Sequence, residues 1–99
     1  MDFEESLRST AQTIWDAGHG TGPSLEKAWH LSSYQSLHRL KIFATPDAAL
    51  AASEAYAALW QWGSARRAHD EQAAKQGEEA YDEAHAKYLD AIRRDLRVE

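Results

Sequence analysis

The chain contains no cysteine, and that absence removes several chemistries at once. There is no disulfide framework, no thiolate zinc site and no cysteine nucleophile. Valine, isoleucine and threonine are scarce beside alanine, glutamate, arginine and leucine, a bias that favours helix over sheet. No apolar run approaches the length that spans a bilayer, and no basic n-region precedes a short apolar stretch. A surplus of positive charge is also missing. The formal net charge is -5 at pH 7, which argues against nonspecific binding to nucleic acid or to an anionic membrane surface. With no signal-like start and no spanning run, the chain reads as soluble and cytoplasmic, and its composition as helical. At 99 residues the chain reads as one domain, 1–99, with a modest core and little room for a deep, walled active site.

What is present is helical periodicity. The strongest stretch is TPDAALAASEAYAALWQW, residues 45–62. Thr45 is a good N-cap, Pro46 suits the first helical position, and Asp47 places a negative charge on the positive end of the helix dipole. Ala48, Ala52, Ala55, Leu59 and Trp62 recur at alternating steps of four and three, which draws one stripe along a helix. Ala49, Tyr56 and Trp60 lie beside it and widen the apolar face. Alanine in the first half lets another helix come close, and the second half is bulky.

The rest of the chain supplies three more helices. Residues 2–17 carry Phe3, Leu7, Ala11, Ile14 and Trp15 at helical spacing, with Asp2 and Glu5 as a capping box and Gly18 as the stop. The glycines from Gly18 to Gly22 have neither the GK[ST] nor the preceding strand of a phosphate cradle, so they read as a linker. A second helix is expected over 23–43, with Leu25, Ala28, Trp29, Leu37, Leu40 and Phe43 as core candidates. Ser32, Ser33 and Ser36 interrupt its apolar stripe and point to a close helix–helix approach. Gly63-Ser64 is expected to give a turn or kink after 46–62, and a long helix then covers 65–97. Its second half bears Tyr81, Ala84, Tyr88 and Ile92, which suits antiparallel packing on 46–62. The expected fold is all-α, a small antiparallel bundle of about four helices.

Catalytic and metal chemistry find little support. No serine sits in a nucleophile-elbow context, and a small bundle offers no evident oxyanion hole. Asp82 and His85 are the best carboxylate–histidine pair, at i, i+3, with Glu78 or Glu79 one turn earlier. Di-iron bundles use Glu-x-x-His on two helices with further carboxylates, and this chain supplies one such element unless it dimerises. His30 and His38 are about 12 Å apart along a helix, too far to share an ion. Arg66, Arg67 and His69, and Arg93, Arg94 and Arg97, are embedded among acids and read as a solvated face.

The four tryptophans are more telling. Trp60 and Trp62 are two residues apart, about 200° around a helix axis. Both cannot enter one small core, so one of them meets another element, a partner chain or solvent. Aromatic anchors of that kind dominate binding interfaces. The sequence therefore implies a non-catalytic protein-protein interaction or self-association module, needing no cofactor or metal, with Tyr56, Leu59, Trp60 and Trp62 as contact residues. Two alternatives remain open. One is a small acidic regulatory protein, of antitoxin or inhibitor type, covering a basic partner site. The other is a dimeric metal-carboxylate bundle built on Asp82 and His85.

The run Arg39-Leu40-Lys41-Ile42-Phe43-Ala44-Thr45-Pro46, an alanine-rich helix, and a terminal Tyr88-Leu89-x-x-Ile92-Arg93-x-x-Leu96 resemble a loose group of proteins. These are uncharacterised small helical-bundle proteins of GC-rich bacteria, with no known activity and often a membrane anchor ahead of the helical part. The resemblance covers the C-terminal two-thirds and implies a helical fold. No anchor segment is seen here, a departure from that pattern.

Overall fold

A computed structural model describes residues 3–19 and 29–97, with the side chains of 95–97 outside the description. Four helices and no strand occur among the described residues: α1 (Phe3–Gly18), α2 (Leu31–Phe43), α3 (Pro46–Arg67) and α4 (Glu71–Arg97). The fold is an all-α bundle in which neighbouring helices alternate in direction.

α3 is the central element. Its N-terminus forms as the residues dictate, with Pro46 at the first position and the Ala48 N–H donating to Thr45 Oγ1 at 3.3 Å. All five members of the stripe, Ala48, Ala52, Ala55, Leu59 and Trp62, are buried. α4 packs along α3 more extensively than any other pair of helices. The two run antiparallel, and Gly77 of α4 lies on the Trp62 backbone. Tyr81, Tyr88 and Ala91 point into the core from α4.

The hairpin between them forms later than the sequence implied. α3 continues as helix through Gly63 and Ser64 to Arg67, and the turn is Ala68-His69-Asp70. Gly63 is a packing position rather than a turn: a Cβ there would lie 2.1 Å from the Trp29 ring. The helix ends in a Schellman arrangement, with the Asp70 N–H donating to Ala65 O at 3.0 Å and the His69 N–H to Arg66 O at 3.1 Å. His69 takes φ 58, the left-handed position where glycine is usual. Asp70 then caps α4 by accepting from the Ala73 N–H at 3.1 Å.

α2 is shorter at its start than expected. Trp29 and His30 form a turn, and the helix begins at Leu31. The expected glycine linker beyond His19, the Pro23 start, Leu25 and Ala28 lie outside the described residues, as does Asp2. Of the three serines, Ser33 marks a close approach to α1, while Ser32 is exposed. Ser33 and Ser36 are buried, and Ser33 Oγ donates to Ser6 O at 3.3 Å and meets Thr10 Oγ1 at 3.2 Å. Ser6, Thr10 and Ser33 thus let α1 and α2 touch through small hydroxyls that satisfy one another or the backbone.

Phe43, expected in the core, is 89% exposed. The register explains it. Ser33 stands opposite Ser6 and Thr10, so the antiparallel path carries Phe43 past Phe3, where α1 begins. Its inner neighbours Leu37 and Leu40 do pack on the core.

α1 also meets α4, by side chains alone. No pair of Cα atoms from the two helices approaches within 8 Å among the described residues. Phe3 and Tyr88 instead make an edge-on ring contact at 5.3 Å, and Glu4 reaches His85. At the other end, the Arg66 guanidinium lies over Gly18 and bonds Glu71 Oε1 at 2.8 Å. The last turn of α1 has no basic residue of its own, so Arg66 brings positive charge to the negative end of that helix.

Candidate functional site

Two surface features lie around the core. The first is an aromatic face across α2 and α3. Ala48-to-Trp62 periodicity turns one side of α3 inward, and Tyr56 and Trp60 therefore fall beside it, one turn apart. Tyr34 from α2 meets Tyr56 with ring centroids 5.9 Å apart, and also packs edge-on against His38 at 4.5 Å. The Tyr56 hydroxyl shares a hydrogen bond with His30 Nδ1 at 3.3 Å. Partial burial, with Tyr34 alongside, raises the Tyr56 phenol above its ordinary range. Trp60 is 47% exposed and Tyr34 45%. Leu31, Ile42 and Leu50 are further exposed apolar side chains on these two helices.

The four residues expected at a partner surface are thus separated by the fold. Trp62 is 4% exposed, and Leu59 is fully buried, so both serve the core. Tyr56 is half-buried, and Trp60 is the one that stands at the surface. The 200° argument required a division between Trp60 and Trp62; the sequence could not say which way it fell.

The second feature is an open cleft of about 440 Å³ between α1 and α4. Trp62 and Tyr81 form its apolar floor, Trp15 one wall, and Arg8, Gln12, Glu78, Asp82 and His85 its rim. Trp15 stacks on His19 at a centroid distance of 3.6 Å. His85 stacks nearly parallel on Tyr81 at 5.4 Å and donates from Nε2 to the Glu4 carboxylate at 2.9 Å. Glu4 also lies 3.7 Å from Arg8 Nε.

His85 therefore has a partner from the far end of the chain, while spacing had offered Asp82. Nothing in the sequence pairs residues 4 and 85, because their meeting depends on how α1 lies against α4. Among the described residues, no group of three histidines or carboxylates converges to hold a metal ion. No described helix is long and apolar enough to cross a membrane.

Burial holds the Tyr81 phenol far above its usual value of 10.0, and the Glu4 and Asp82 carboxylates add to this. The neutral phenol is thus favoured by the fold. Above about pH 10 the unfolded chain releases this proton more readily, so stability falls as pH rises further. Thermal unfolding at pH 9 and pH 11 should show a smaller alkaline loss in Tyr81→Phe than in the unaltered chain. Equal losses would mean that Tyr81 does not govern this range.

Comparison with family models, with curated proteins and with solved structures gives no match to this chain, so its functional reading rests on its own residues.

Proposed function

We propose that this chain is a non-catalytic helical interaction module that self-associates through the outer face of α2 and α3. The observation that carries this reading is Trp60, half-exposed beside Tyr56 and near the exposed Tyr34. A tryptophan left in water keeps a large apolar surface available for burial in a contact. Charge supports a second copy as the occupant. α2 holds Arg39 and Lys41 and no acidic residue, whereas the chain as a whole is at -5. Where this face meets its counterpart in a second copy, the Arg39 and Lys41 of one α2 can face the other copy's α3, whose first half carries Asp47 and Glu54.

Light scattering on a sizing column, over a range of concentrations, tests this directly. The unaltered chain should show a mass that rises with concentration. Trp60→Ala should weaken self-association by about thirty-fold or more, the effect of losing one hot-spot side chain, while helicity stays unchanged. A monomer at every concentration, or a Trp60→Ala variant that associates as well as the unaltered chain, would refute the proposal.

A further inference from the structure

The α1–α4 cleft is separate from the face around Trp60, and its chemistry is different. Trp15, 41% exposed, is the aromatic side chain open to it, above a floor formed by the edges of the nearly buried Trp62 and Tyr81. Its rim is unevenly charged. Arg8 and His85 both engage Glu4, so that carboxylate is already answered. Glu78 and Asp82, one helical turn apart on α4, carry no ion pair or hydrogen bond among the described residues. The Arg8 side chain, though it borders the cleft, is 69% exposed and leans on Glu4 rather than on these two acids.

We propose that this cleft binds a planar organic cation, an amidinium or guanidinium, with its charge on Glu78 and Asp82 and its flat body against the aromatic residues. Three features select that chemistry. Unanswered carboxylates one turn apart attract a cation and can accept a forked set of N–H donors. Aromatic side chains favour a delocalised, weakly hydrated cation over a compact ammonium. A volume of about 440 Å³ admits a small ligand or a single side chain, and its openness to solvent makes millimolar affinity the expectation.

The test uses benzamidine as probe, with the indole and backbone signals of Trp15, Trp62 and Tyr81 followed by two-dimensional NMR. Saturable shifts at these residues are expected. Benzyl alcohol, of similar shape and without charge, should bind more weakly. Glu78→Gln with Asp82→Asn should weaken benzamidine by about three- to tenfold, the scale of two partly exposed ion contacts. Both side chains stand on the rim of the cleft and neither belongs to the buried core, so the variant keeps its core. Nα-acetyl-arginine amide separates the sources. Tighter binding than benzamidine would assign the site to an arginine side chain of a polypeptide, and looser binding to a free aromatic cation. Absence of saturable shifts, equal affinity for benzyl alcohol, or no change in the double variant would overturn the proposal. None of these outcomes depends on whether the chain self-associates through Trp60.

Discussion

Trp62→Ala is expected to destabilise the fold by about 3–5 kcal/mol, the range for deleting a large buried aromatic side chain. Trp62 ends the buried stripe of α3, floors the α1–α4 cleft, and lies 5.6 Å from the Tyr81 ring. Its loss would leave a void beneath Tyr81 that the surrounding helices can close only by shifting. A domain of this size is stable by about 5–15 kcal/mol, so the variant should lose roughly a fifth or more of its margin. Trp60→Ala should cost no more than about 1 kcal/mol, because nearly half of that side chain already meets water. Urea denaturation of the two variants measures the contrast. Equal costs would place both tryptophans in the core and remove the support for Trp60 as a contact residue.

Gly77→Ala is expected to destabilise as well, by about 1–3 kcal/mol, although helix propensity alone says the opposite. In an exposed helix interior, replacing glycine by alanine gains about 1 kcal/mol. Here a Cβ would stand 2.7 Å from Trp62 Cα and 2.9 Å from its backbone nitrogen. Backbone atoms cannot swing aside, so α3 and α4 would have to separate along their main contact. Gly18 gives the contrast. Its added Cβ would meet only the end of the Arg66 side chain, at 2.7 Å, and a flexible guanidinium can move away. Gly18→Ala should therefore be much milder than Gly77→Ala in the same denaturation experiment. A stabilised Gly77→Ala would mean that the α3–α4 contact is looser than the structure places it.

Gly77 and Gly63 also show where reading the chain in one dimension stops. Gly63 reads as a turn, because glycine before serine usually punctuates a helix. In three dimensions it is the place where the Trp29 ring rests on α3. The true turn, at Ala68-His69-Asp70, carries no glycine and uses His69 in the left-handed region instead. Local propensity misplaced the hairpin because the Trp29–Gly63 contact joins segments far apart in the chain.

Much else was determined by sequence alone. Helical class follows from composition, and the buried side of α3 follows from steps of three and four, since a helix brings those positions to one face whatever surrounds it. The start of α3 follows from Thr45 and Pro46, and a close helix approach at α2 from serines where apolar residues were due, although which helix they meet does not. The need for Trp60 and Trp62 to divide is likewise a matter of helix geometry. Only tertiary structure decided which of them is buried, because that depends on where α4 lies around α3. It also decided that Phe43 overhangs α1 and that His85 meets Glu4 rather than serving beside Asp82. These outcomes are set by the register and position of whole helices, and that arrangement is fixed by many weak contacts summed across the core rather than by any local pattern.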